Sequence, residues 1–279
     1  VKKAIFTLAI GDNPMYQAAI LSFQYYADKV GADLIVSDKL HYSIDICDPH
    51  YGANPAWTEK LRIGELLKQY DRVLYLDADI LISPSAQDVF KQYTDPTVIY
   101  MFNEGAVCDR MFERQLIENK LGHLRWPILD KGIIYYNAGV ILASKECKLF
   151  DHTDLAGLQS VCNDVRFYEQ TFFNYQIFKY DLKHRELAST YNRMDMLGDQ
   201  DYLEAHFIHY AGKGYAKNSR RRDIQFLKDF AVLYQHILPK SQIEALKSHA
   251  WRNYLKVVCE KYALPNWLIT QCCHWFVPR

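Results

Sequence analysis

The sequence lacks a net charge, a cysteine framework and any long apolar run. Lys plus Arg and Asp plus Glu number 33 each, so nothing global draws this chain to nucleic acid or to an acidic membrane. No nucleic-acid partner is expected. The seven cysteines (Cys47, Cys108, Cys147, Cys162, Cys259, Cys272 and Cys273) are odd in number and form no CxxC pair. That argues against a zinc site or a disulfide framework and for a reducing, cytoplasmic setting. No run reaches the roughly 20 apolar residues of a membrane span. No signal peptide is visible in the residues that begin at Val1. Internal repeats and low-complexity linkers are missing too.

What is present is an ordinary globular balance, 49% hydrophobic and 24% charged in 279 residues. That length suffices for one cored domain with at most a small appendage. Apolar runs at 3–10, 33–37 and 72–76 alternate with helically spaced segments at 15–28 and 57–70. This βαβαβ rhythm predicts an α/β fold with a largely parallel sheet. Further strands are expected at 97–102, 132–143 and 205–210, and helices near 109–121 and 164–178. The character changes after residue 211. A basic stretch holds Lys213, Lys217, Arg220, Arg221 and Arg222, and helical segments follow at 223–237 and 241–262. A catalytic domain over 1–211 with a helical extension over 212–279 is therefore expected. Trp251, Leu264, Trp267, Trp275 and Phe276 stand among basic residues in that extension, which suits either a membrane interface or a packed lid.

One stretch carries chemistry. The apolar strand RVLYL ends in Asp77-Ala78-Asp79. Ligands of open α/β sheets bind beyond the carboxyl ends of strands. Two carboxylates at i and i+2 there can share one hard divalent cation, Mn²⁺ or Mg²⁺. A second triplet, Asp199-Gln200-Asp201, has no apolar strand before it and reads as a loop.

The stretch KLRIGELLKQYDRVLYLDADILI resembles glycosyltransferase family 8, the retaining GT-A family. TLAIGDNPMY, GAVCDRMFERQ, YYNAGVILAS, YEQTFFN and HYAGKG resemble it in the same order, from residue 7 to about 214. The resemblance implies a GT-A fold, a mostly parallel sheet flanked by helices. It implies transfer of a hexose from a UDP-sugar donor to a glycan or glycolipid acceptor, with retention of configuration. Asp77, Asp79 and His209 would ligate the metal. Thr7, Leu8, Ala9, Asp12, Asn13 and Tyr16 would hold the nucleotide, and Lys60 and Ala78 would lie along the donor. Asp109, Asn137, Glu169 and Gln170 would surround the hexose, with Gly139 allowing close approach. Gly212 matches a glycine after the histidine. The family lysine six residues past that histidine is replaced here by Tyr215, which leaves Lys213 or Lys217 to meet the diphosphate.

Several of these residues have plainer readings. Asp12 suits a helix N-cap before Pro14, and Asp109 a cap on the helix that follows it. Asn137 suits a turn, Lys60 a solvated helix face and His209 an ordinary strand histidine. Two other functions fit part of the pattern. One is a sugar nucleotidyltransferase, for which IGDNP is a poor phosphate loop. The other is a non-catalytic sugar-nucleotide binding module.

Overall fold

A computed structural model describes residues 1–129, 132–215 and 222–276. Strand β1 (Lys3–Leu8) leads into helix α1 (Pro14–Val30), then β2 (Asp33–Ser37). A short helix α2 (Arg62–Leu66) precedes β3 (Arg72–Leu76) and β4 (Ile80–Ile82). The turn α3 (Val89–Gln92), β5 (Ile99–Asn103) and α4 (Met111–Leu121) come next. The small ribbon β6 (Ile128–Leu129) and β7 (Gly132–Ile133) precedes the long strand β8 (Tyr136–Ser144). Then come α5 (Leu155–Val161), α6 (Tyr168–Lys179), β9 (His184–Glu186) and β10 (Phe207–His209). Helices α7 (Arg222–Tyr234), α8 (Lys240–Lys261) and α9 (Asn266–Phe276) end the described chain.

Six strands form one sheet in the order β2-β1-β3-β8-β5-β9. All run in one direction except β8, which is antiparallel to both its neighbours. Strands β3 and β8 are buried along their whole length, as a sheet covered on both faces requires. Alternate residues serve opposite layers. Ile5, Leu74, Leu76, Val140 and Leu142 face a core built with α1, α7 and α8. Ala4, Phe6, Val73, Tyr75, Ile141 and Ala143 face a second core built with α2, α4, α5 and α6.

Local chemistry explains the elements. Asn13 caps α1 by accepting the Met15 N–H at 2.9 Å, Pro14 opens it, and Gly31 ends it at φ 65°. The capping residue is thus Asn13, not Asp12. The helix expected at 57–70 is instead a 3₁₀ helix over Pro55–Leu61 followed by the short α2. The tighter turn brings residues three apart onto one face. The strand expected at 132–143 is broken at 134–135. There the Ile134 N–H goes to the Pro127 carbonyl and the Tyr135 N–H to Asn103 Oδ1, so neither joins the main ladder. The strand expected at 205–210 is shorter and leaves the main sheet. As β10 it pairs antiparallel with β4, and His209 comes opposite Ile80.

Candidate active site

The site lies where β1, β3 and β5 end and β8 begins. The reversal of β8 brings its first residues to this end, with Tyr136 opposite Asn103 and Val140 opposite Leu76. Asp77 follows β3 directly, and Asp79 directly precedes β4. The Tyr210 N–H donates to the Asp79 carbonyl at 2.9 Å, which pins the β4–β10 pair beside the acids.

One ligand atom from each of Asp77, Asp79 and His209 lies within 4.8 Å of the others. His209 Nε2 is 3.3 Å from Asp79 Oδ1 and 3.9 Å from Asp77 Oδ2. Asp79 Oδ1 is buried and receives no hydrogen bond among the described residues. Two carboxylates, one of them with an orphaned buried oxygen, and an imidazole nitrogen fit a divalent cation such as Mn²⁺ or Mg²⁺. Without an ion, the arrangement favours a proton in its place. Burial opposes the His209 imidazolium, but Asp79 and then Asp77 outweigh it and raise its pKa above the ordinary value. Burial likewise opposes the charge of Asp79, yet His209 and Arg222 bring its pKa down to about 2.

Cations flank the acids. Arg222, at the start of α7, donates to Asp79 Oδ2 at 2.7 Å and to the Tyr210 carbonyl at 3.0 Å. Lys60 is buried, donates to Glu169 Oε1 at 2.8 Å and stands 3.5 Å from Asp77 Oδ1. Burial works against its charge, but Asp77 and Glu169 prevail and raise its pKa. Tyr75 donates to Asp77 Oδ1 at 2.6 Å.

Beside the acids lies a floor of buried amides. Gln170 Oε1 accepts the Ala138 N–H at 2.9 Å, and Asn137 Oδ1 accepts the Gly139 N–H at 2.9 Å. The two amides are joined by a 3.2 Å bond from Asn137 Nδ2 to Gln170 Oε1. Both donate to Glu104 Oε2, at 3.0 and 3.2 Å, and Arg110 is paired with the other Glu104 oxygen. Asn192 donates to Asn137 Oδ1 at 2.9 Å and contacts His209 Nδ1 at 2.8 Å. A Cβ on Gly139 would meet His209 Cε1 at 2.3 Å, so the close approach this glycine permits is that of the histidine ring.

The expected residues thus fall into three groups. Asp77, Asp79, His209, Lys60, Glu169, Gln170, Asn137 and Gly139 converge. Ala78 is buried between the acids. The β1 end stands alongside. Thr7 is buried with an unpartnered hydroxyl among the described residues, Ala9 is buried and Leu8 half-buried. The Tyr16 hydroxyl has its pKa raised by burial and then by Asp79. Asp12 is exposed, bonded to Gln17 and paired with His249 of α8 at 3.2 Å. The third group lies on the chain between elements. Asp109 is exposed at the start of α4, where its carboxylate accepts the Met111 N–H at 2.9 Å. The acid beside Asn137 and Gln170 is Glu104. Gly212 adopts φ 61° and Lys213 is exposed, while Lys217 lies outside the described residues. Tyr215 is buried, stacked on Tyr202 at 3.9 Å, with its hydroxyl on the Arg193 carbonyl. Glu104, Asn192, Tyr75 and Arg222 were not foreseen in these roles.

The sequence profile of glycosyl transferase family 8 matches residues 45–215, more than half of the chain. No curated protein sequence matches it. Among solved structures, the bifunctional glycosyltransferase WbbM is similar, with TM-score 0.50 and 15% identity over 82% of this chain. The chain spans 50% of WbbM. A glycosyltransferase involved in glycosylating the major capsid of PBCV-1 matches with TM-score 0.50 and 14% identity over 81% of this chain and 98% of that one. An active-site variant of LgtC matches with TM-score 0.50 and 18% identity over 85% and 98%. At such identities the likeness shows the fold, the GT-A arrangement of a helix-flanked central sheet. By its profile match, its fold and the acids at the end of β3, this chain belongs to glycosyl transferase family 8 and is a glycosyltransferase.

Proposed function

We propose that this enzyme transfers a hexose from a UDP-sugar to a glycan acceptor, with retention and with Mn²⁺ or Mg²⁺ as cofactor. The observation that carries the reading is the convergence of Asp77, Asp79 and His209 at a strand end, next to a buried amide floor and Lys60. When bound, the metal would neutralise charge on the departing diphosphate. Asp77, Asp79 and His209 would hold it. The end of β1, with Thr7, Leu8, Ala9, Asp12, Asn13 and Tyr16, would hold uridine. Arg222 and Lys213 are the described cations nearest in sequence to His209 on its C-terminal side, and Arg222 already reaches Asp79.

Gln170 forms the floor on which the anomeric carbon would rest. An amide is a poor nucleophile, and this one is fixed by the Ala138 N–H and by Asn137. The geometry therefore favours front-face transfer. The acceptor hydroxyl oxygen bonds to the anomeric carbon as the carbon–phosphate oxygen bond breaks on the same face. The hydroxyl proton passes to the leaving phosphate oxygen. The protein contributes position and preorganised charge. Glu169 offers a second route as nucleophile, because its Oε2 is buried with no hydrogen-bond partner among the described residues. A Gln170→Ala enzyme with full activity would remove Gln170 from the account.

The acceptor class we favour is an envelope glycan, lipopolysaccharide or capsule, reached in part through the C-terminal helices. No helix among the described residues is long and apolar enough to cross a membrane. Trp267 and Trp275 of α9 are 68% and 65% exposed, and Lys256 and Lys261 lie near them in sequence on α8. Such a pairing suits a peripheral, cytoplasmic-face contact. Flotation with anionic vesicles tests it, and a Trp267→Ser, Trp275→Ser protein that floats like wild type would reject it.

The test of the donor reading is calorimetry of UDP with Mn²⁺ and with chelator, on wild type and on Asp79→Ala. Metal-dependent binding lost in the variant is expected. Metal-independent binding, or none, would overturn the reading.

A further inference from the structure

We propose that Asn192 is a positioning residue that fixes which nitrogen of His209 faces the cation. The inference rests on the proposed metal site and adds a residue outside the ligand set. It follows from the direction of hydrogen bonds, which the backbone of β8 imposes. The Ala138 and Gly139 N–H groups can only donate, so Gln170 Oε1 and Asn137 Oδ1 must be the atoms that face them, at 2.9 Å each. The amide nitrogens of Gln170 and Asn137 then turn to Glu104 Oε2, an acceptor, at 3.2 and 3.0 Å. With Asn137 so oriented, the atom of Asn192 that lies 2.9 Å from Asn137 Oδ1 has to be its NH₂ group. The remaining Asn192 atom, Oδ1, therefore faces His209 Nδ1 at 2.8 Å. An oxygen there requires a proton on Nδ1. In the neutral ring Nε2 is left with its lone pair, aimed between Asp79 Oδ1 and Asp77 Oδ2.

Two features make this an arrangement with one solution. Asn192, Asn137 and His209 are all buried, Asn192 completely, so water does not offer substitute partners easily. The backbone also holds Asn192 in place. The Arg193 N–H donates to the Phe207 carbonyl and the His209 N–H to the Arg193 carbonyl, each at 2.9 Å, which pairs residue 193 alongside β10. Partners behind a ligating imidazole set its tautomer and its basicity, and their loss typically costs roughly 10–100-fold in metal affinity. Deleting the acceptor frees His209 to carry its proton on Nε2, the position a cation needs.

The experiment is a Mn²⁺ titration of the full chain without nucleotide, followed by the loss of the free-ion electron spin resonance signal. Wild type, Asp79→Ala, Asn192→Leu and Asn192→Asp are compared. Asn192→Leu removes the acceptor, and its Mn²⁺ affinity is expected to fall about 10–100-fold. Asn192→Asp keeps an oxygen opposite Nδ1 while an acceptor oxygen and a negative charge replace the donor to Asn137, and its Mn²⁺ affinity is expected to stay within about threefold of wild type. A merely structural role predicts the same loss in both. Wild-type affinity in Asn192→Leu overturns the inference, as does a fall of more than about tenfold in folded Asn192→Asp. Should Asn192→Leu fail to fold, Asn192→Ala, which also removes the acceptor, takes its place in the comparison. If wild type binds Mn²⁺ no better than Asp79→Ala, the metal reading itself fails, an outcome distinct from the other two.

Discussion

The chain contains the triplet Asp-x-Asp twice, and the two copies behave differently. Asp77 and Asp79 bracket the buried Ala78 at the end of a fully buried strand, in reach of Lys60, Arg222 and His209. Asp199 and Asp201 lie exposed between short 3₁₀ turns, and Asp201 sits at φ 53°. Spacing is identical, so spacing does not make a site. What differs is the strand in front. A buried strand delivers its terminal carboxylates to one point, where low dielectric raises the value of any countercharge. A surface turn leaves its carboxylates in water, where ion pairs contribute little.

The comparison is most sharply tested by substitution. Asp79→Ala is expected to abolish metal-dependent donor binding and lower transfer by roughly 10³-fold or more, read in a UDP-release assay. Lys60→Met leaves Glu169 buried without its partner and is expected to cost about 3–5 kcal/mol in urea unfolding. Gly139→Ala forces a methyl against the His209 ring. It should lose about 1–3 kcal/mol of stability and weaken Mn²⁺ binding, with a melting curve and an ion titration as the checks.

A pH series probes the same contrast. The His209 pKa is raised, and a metal needs the ring neutral, so protons compete with the ion. Mn²⁺ affinity should weaken by up to about tenfold per pH unit below that raised pKa and level off above it. The metal-free protein behaves oppositely. The His209 contribution to its stability is complete below the ordinary histidine value and fades as pH rises through the raised one. A flat Mn²⁺ affinity from pH 5 to pH 8 would remove His209 from the ligand set. The smallest effect belongs to the other triplet. Asp201→Asn should leave transfer unchanged and shift stability by less than about 0.5 kcal/mol, since asparagine tolerates a left-handed backbone.

Much of the fold was legible because it rests on continuous apolar runs. Residues 33–37 and 72–76 form strands over the spans that the sequence predicts. Asp77 and Asp79 were legible for the same reason, as polar residues directly after such a run. That rule also marks Glu104, which follows the buried strand IYMFN as Asp77 follows RVLYL. The resemblance points to Asp109, whose carboxylate also accepts the Met111 N–H at the start of α4. Asn192 and Arg222 left no comparable signal. A lone asparagine between short turns and an arginine in a basic stretch look solvated until distant strands place them. Nor did the sequence show that β8 runs backwards, since an apolar run reads the same in either direction.

The pairing of β4 with β10 also governs when the enzyme can exist. Each strand is three residues long, and their partners are separated by more than a hundred positions of chain. Closing so large a loop costs entropy before the short ladder returns anything, which makes such pairings late events in folding. The acids at 77 and 79 are therefore in place at the end of their strand before histidine 209 arrives. During synthesis, a ribosome-bound chain that stops short of β10 carries Asp77 and Asp79 without His209. The cluster of Asp77, Asp79 and His209 is completed only when β10 joins, so a chain that has not yet made β10 lacks it.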